Sequence, residues 1–277
     1  MLPPTEVKPK IGIIAGQGSI PESLVARWES QGMLPVIVGL KGITSPSLFT
    51  NRIAAEFSIG QAGHILHFLQ SHGVRQLVMI GALKRPNLWT IIPDGAGFKI
   101  LARLLWHHGR AKLGDDGLLR FVRREIERYG IDIIGAHEFM PELLCPTGVL
   151  TITAPDDADL QVIAKGFAAA KQHGADDKGQ SIVINEAGIC GVESSKGTNA
   201  LIASCAGQSG AILVKAAKPQ QDMALDMPTI GLTTVENIIQ AGFKGMAVEA
   251  GKTMIVDRDS VVRLCDEHKL FLIGIEG

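Results

Sequence analysis

The fourteen residues KPQQDMALDMPTIG, positions 218–231, gather a lysine, two glutamines, two aspartates and two prolines in a region otherwise rich in small and branched aliphatic residues. Asp222 and Asp226 lie four apart. Lys215 sits just upstream in the apolar run AILVKAA, where a charged side chain is costly unless it is paired or faces a site. Glu193 closes an earlier predicted strand, GICGVE. Carboxylates near strand ends are suited to hold Mg²⁺ through oxygen ligands, and lysines neutralise phosphate charge. The constellation therefore points to chemistry on a phosphorylated substrate, against the plainer reading of a decorated surface loop.

Other motifs carry less. GIIAGQGSIP has the outline of a dinucleotide-binding turn, but Pro21 stands at the third glycine position and PVIVGLKG ends without a ribose-binding acid, which argues against a redox cofactor. That turn, Gly16, Gln17, Gly18 and Ser19, can still offer backbone N–H groups and a helix N-terminus to a phosphate or sugar, or be only a tight turn. GMAVEAGKT ends like a P-loop with its first glycine misplaced and strand-like flanks, so no phosphate cradle is expected there. His64 with His67, and His107 with His108, lack acidic or thiol companions at ligand spacing and read as solvated helix faces. The pairs Asp115/Asp116, Asp156/Asp157 and Asp176/Asp177 are expected at helix starts, where carboxylates cap and complement the dipole. No nucleophile elbow supports serine chemistry.

Elements that would position these residues alternate between strand and helix. IGIIA, PVIVG, EFSIG and LVMIGAL read as strands, and AGHILHFLQSHG, AGFKILARLLWHHG and DDGLLRFVRREIERYG as helices. The pattern predicts a parallel, doubly wound sheet. A proline-punctuated stretch over residues 135–150 reads as a linker between domains at 1–134 and 151–277, the second again α/β and mixed. The formal charge of −1 argues against nucleic-acid binding. Four dispersed cysteines form no CxxC pair and read as buried free thiols of a cytoplasmic protein. The polar, proline-rich start lacks a signal-peptide core, and no run approaches the ~18 apolar residues of a membrane span.

Taken in order, GIIAGQGSIP, IGALKRP, GDDGLL, GAHEF, GQSIVI, VESSKGT, LVKAAKPQQDMALDMPTIG and AVEAG resemble the UDP-2,3-diacylglucosamine pyrophosphatases of lipid A biosynthesis, the LpxI type. The resemblance implies an N-terminal Rossmann-like domain and a C-terminal catalytic one. It implies hydrolysis of UDP-2,3-diacylglucosamine to UMP and 2,3-diacylglucosamine 1-phosphate with a divalent metal, Mg²⁺ or Mn²⁺. The family's aspartates fall at Asp222 and Asp226, implied as catalytic or metal-holding. Substrate contacts are implied at Gly16, Gln17, Gly18, Ser19, Lys84, Arg85, Gln180, Glu193, Gly197, Thr198, Lys215 and Gln221. Asp222 ranks slightly ahead of Asp226, because it follows Gln221 and lies nearer Lys215 in sequence. A peripheral contact with the inner membrane surface and a homodimer are left open by the same resemblance. Met223, Ala224 and Leu225 replace the arginines and aromatic common in the family. That departure keeps a second reading alive, a non-catalytic sugar-nucleotide or lipid-binding protein of the same fold.

Overall fold

The structure is a computed structural model that describes residues 10–83, 93–108 and 115–277. Lys84 and Arg85 lie outside the described residues. The chain divides into two compact units, Met1–Phe139 and Met140–Gly277.

The N-terminal unit runs β1 (Lys10–Ala15), α1 (Ile20–Ser30), β2 (Val36–Leu40), β3 (Ile53–Phe57), α2 (Ala62–Ser71), β4 (Val74–Ile80), α3 (Gly95–His108), α4 (Asp115–Glu127) and β5 (Asp132–Ile133). All pairings in its sheet, ordered β3-β2-β1-β4-β5, are parallel. β3 begins at Ile53, ahead of the expected EFSIG run. α1 starts with Pro21 in its first turn and buries Leu24, Val25 and Trp28 at helical spacing. Ser19 holds the N-cap position, yet its side chain makes no capping hydrogen bond. Helices α2, α3 and α4 and the sheet surround a cavity of about 300 Å³, lined by Ile14, Leu66, Met79, Leu118 and Val122 among other apolar groups.

The C-terminal unit continues with β6 (Gly148–Val149), α5 (Asp157–Ala175), β7 (Ser181–Asn185), β8 (Gly188–Val192), α6 (Thr198–Ser204), β9 (Ile212–Lys215), β10 (Thr229–Ile230), α7 (Leu232–Ala241), β11 (Gly245–Glu249), β12 (Met254–Ile255), α8 (Arg258–Glu267) and β13 (Phe271–Ile275). Its main sheet has the order β6-β13-β11-β9-β7-β8, with β9, β11 and β13 parallel and β6, β7 and β8 joined by antiparallel pairing. Alternating side chains divide the core. Val183, Leu213, Met246 and Leu272 pack with Leu201, Ile202, Val235 and Val261 on one face, and Ile182, Val214, Ala247 and Ile273 pack with Val162, Ile163 and Ala170 of α5 on the other. α5 opens with a capping box in which Asp156 accepts from the Asp159 N–H at 2.8 Å. Asp176 and Asp177, expected at a helix start, instead end α5. Asp176 is its C-cap and Asp177 is left-handed at φ 53°.

Candidate active site

β9 presents its side chains alternately, so Lys215 shares the face of Leu213 and lies on the α6 side of the sheet. The strand ends there. Because β7 is antiparallel to β9, Ser181 at the start of β7 sits directly opposite Lys215. β8 runs back alongside β7, which brings Glu193, just past its end, to the same edge. The carboxyl end of a parallel strand in an open α/β sheet is where ligands bind.

Lys215 is only 6 % exposed, and its Nζ donates to Thr229 O at 3.2 Å and Thr198 Oγ1 at 3.4 Å. Among the described residues no carboxylate oxygen lies within salt-bridge reach of it. Burial pushes the lysine below its ordinary range, opposed by the charges of Glu193 and Asp226. A buried ammonium held by two long hydrogen bonds, with carboxylates close but not touching, is poised to receive an anion.

Around it the polar groups form one network. Thr198 donates to Glu193 Oε1 at 2.7 Å, and Glu193 Oε2 accepts from the Gln180 N–H at 2.9 Å. Gly197, at φ 83° before α6, adopts the left-handed backbone that lets Thr198 turn in. Gln221 is buried and makes three side-chain hydrogen bonds. Its Oε1 accepts from the Lys218 N–H at 2.8 Å, and its Nε2 donates to Asp226 Oδ2 at 2.9 Å and Gln180 Oε1 at 3.2 Å. Asp222 starts a tight turn, with its carbonyl accepting from the N–H groups of Leu225 and Asp226 and its Oδ1 from Ala224 N at 3.1 Å. Sequence distance favours Asp222, whereas Asp226 is the aspartate whose charge opposes the effect of burial on Lys215.

The structure so brings together Gln180, Glu193, Gly197, Thr198, Lys215, Gln221, Asp222 and Asp226. It adds Ser181, 3.3 Å from Thr198 Oγ1, and His173, whose Nε2 bonds to Glu193 O at 2.7 Å. Neither stands out in sequence, since a serine or histidine beside an apolar run is ordinary. Among the described residues no group of three or more histidines, cysteines, aspartates and glutamates is spaced to hold a metal ion. Mg²⁺ commonly takes only one or two carboxylates, completing its shell with water and phosphate oxygens.

Gly16 to Ser19 belong to the N-terminal unit, at the carboxyl end of β1 beside that of β4. β2 and β4 flank β1 on opposite sides, which makes this the switch point of the sheet. The Gly16 N–H donates to Ile80 O and the Gln17 N–H to Ala82 O, leaving Gly18 and Ser19 as the turn's available donors among the described residues. A Cβ on Gly16 would lie 2.7 Å from the Gly81 carbonyl carbon, so glycine is needed for the two turns to meet. His64 is held by Asp94, which also accepts from the N–H groups of Gly63 and Gly97, tying α2 to α3, while His67 is exposed. Gly251 and Lys252 form a turn between β11 and β12, so the P-loop-like string is strand-turn-strand, as its flanks indicate.

Fold and site define a two-unit α/β protein with an anion-ready cluster at the strand ends of its second unit. Residues 10–143 match the LpxI N-terminal domain and residues 146–273 the LpxI C-terminal domain. A relative from Caulobacter vibrioides, UDP-2,3-diacylglucosamine pyrophosphatase LpxI, is 34 % identical over an alignment covering 96 % of this chain and 98 % of the relative. The chain belongs to the LpxI family.

Proposed function

We propose that this protein hydrolyses the pyrophosphate of UDP-2,3-diacylglucosamine, yielding UMP and 2,3-diacylglucosamine 1-phosphate for lipid A biosynthesis. The observation that carries the reading is Lys215, a buried cation with no contacting carboxylate among the described residues, set beside Asp226 and Glu193 in a chain whose relative bears that activity in its name. A diphosphate diester is anionic and slow to hydrolyse. It needs charge neutralisation and a positioned water.

Lys215 meets the first need by holding a phosphate oxygen in a site of low dielectric, where its charge acts strongly. Asp226 meets the second. Gln221 fixes its Oδ2, which leaves Oδ1 to orient the water and take its proton. The water oxygen bonds to one phosphorus as the bridging P–O bond breaks, and the second phosphate departs. Thr198 and Gln180 keep Glu193 engaged at the edge of the cluster, so that it sustains the field around Lys215 without capturing it. A divalent ion, Mg²⁺ or Mn²⁺, would be held by Asp222 with substrate oxygens, leaving Asp226 as the base, and would neutralise phosphate charge. No helix among the described residues is long and apolar enough to cross a membrane, and the reading has the protein meet its lipid at the membrane surface.

The test is incubation of purified protein with UDP-2,3-diacylglucosamine and Mg²⁺, with both products identified by mass spectrometry, before and after exhaustive EDTA treatment. The reading expects UMP and the lipid 1-phosphate in equal amounts, lost with EDTA and restored by Mg²⁺. Turnover that survives EDTA would rule out the metal, and no UMP from folded protein would rule out the activity.

A further inference from the structure

Glu249 ends the wholly buried strand β11 and is itself 0 % exposed. A carboxylate there would be costly unless neutralised, and it is. Lys171 of α5 donates to both of its oxygens at 2.7 Å, and Lys252 to Oε1 at 3.0 Å. Burial alone would raise its pKa, but these lysines and the Ala217 N–H outweigh it and hold the carboxyl below its ordinary range.

The pair does more than neutralise itself. Glu249 Oε2 accepts from Ala217 N at 2.8 Å, and Lys171 Nζ donates to Ala217 O at 3.0 Å. One ion pair thus grips both backbone polar groups of a single residue. Ala217 is two residues past Lys215 and opens the loop that carries Gln221 and Asp226. The same end of α5 holds the loop further along. Gln220 donates to Gly174 O at 2.9 Å, Lys218 pairs with Asp177 at 2.5 Å, and a Cβ on Gly174 would lie 3.2 Å from Lys218 Cα.

We infer that Lys171 and Glu249 are positioning residues that set the register of the loop against β9, and so the place of Asp226 beside Lys215. The inference rests on the function proposed above for the reaction it serves. Its structural half stands independently. Neither residue touches the reacting atoms, so their loss acts through the loop, and a catalytic group displaced by about 1 Å can cost ~100-fold in rate.

The test uses the full-length double variant Lys171→Met/Glu249→Met, which removes both charges together and leaves no buried carboxylate unpaired. Lys171→Arg serves as the conservative control. Hydrogen exchange of residues 217–226 is followed beside that of β9 and β11, together with steady-state UMP release. In the double variant the loop amides exchange at least ~10-fold faster while β9 and β11 stay protected, since loss of the two anchors opens the loop locally and leaves the sheet paired. Its kcat falls at least ~10-fold with KM within ~3-fold, and the arginine variant recovers most of both. Unchanged loop exchange in the folded double variant overturns the inference whatever the wild type hydrolyses, and so does faster exchange with undiminished kcat. Should the double variant not fold, Glu249→Gln, which keeps an acceptor for Ala217 but surrenders the charge, is read by the same two measurements. A wild type with no UMP release would instead condemn the proposed activity, leaving loop exchange to decide the structural half.

Discussion

Lys215 is the residue on which stability and function pull in opposite directions. Its ammonium is kept out of water with no touching carboxylate among the described residues, a cost that a bound anion would offset. Lys215→Met should therefore lower kcat/KM by at least ~100-fold while the thermal midpoint stays level or rises. Paired assays and melts decide it, and a fall in midpoint with retained activity would contradict it. Because the folded lysine titrates below its ordinary value, the unfolded chain binds more protons between the folded value and about 10.4, so stability rises with pH across that window. Lys215→Met should lack that rise in urea titrations at stepped alkaline pH. For the aspartates, Asp226→Ala should lose more kcat than Asp222→Ala, since Asp226 bonds to Gln221 and acts on Lys215 whereas Asp222 caps its own turn. Equal losses, or a greater loss at Asp222 as its place beside Gln221 in sequence favours, would contradict this order.

Elements bring these residues together by means only partly visible in the sequence. A lysine closing an apolar strand is legible, and ILVK gives Lys215 away. GMAVE ends in a glutamate by the same logic, but its resemblance to a failed P-loop draws the eye to Gly251 and Lys252 instead. Lys171 and His173 carry no such signal, because their partners lie on other elements and only the packing of α5 on β9 reveals them. Asp176 and Asp177 mislead for a related reason, since an acidic pair reads as a helix start while here Lys178 and Lys218 hold it at a helix end. Glu249 supplies the pH test at this scale. Its carboxyl is depressed in the folded state, so its contribution is complete above about 4.5 and is lost as pH falls through the lower folded value. The wild type should lose more stability than Lys171→Met/Glu249→Met on acidification below that point, measured by urea unfolding at each pH. In the N-terminal unit, Gly81→Ala should cost about 1–3 kcal/mol, because a Cβ there would lie 2.7 Å from the Gly16 carbonyl carbon at a backbone φ of 105°. A midpoint unchanged in urea would show that the turns can separate.

At the scale of the whole molecule, two α/β units in sequence are legible from alternating strand and helix, and the ordered motifs suffice to expect the family that the domain matches show. Strand order is not legible, since nothing local tells β7 to run against β9 and so carry Gln180 and Ser181 to the end where Lys215 sits. That reversal gathers residues spread over nearly fifty positions into one cluster. Lys215 is a buried cation of that cluster, and Asp226 is a carboxylate whose charge acts on it without touching it. The most direct measurement is the rate of UMP release from UDP-2,3-diacylglucosamine with Mg²⁺ by the wild type and by folded Asp226→Ala. The account predicts steady turnover by the wild type and at least a ~100-fold loss of kcat in the variant with an unshifted melt. Near-wild-type turnover by folded Asp226→Ala would contradict it and move the chemistry away from this loop.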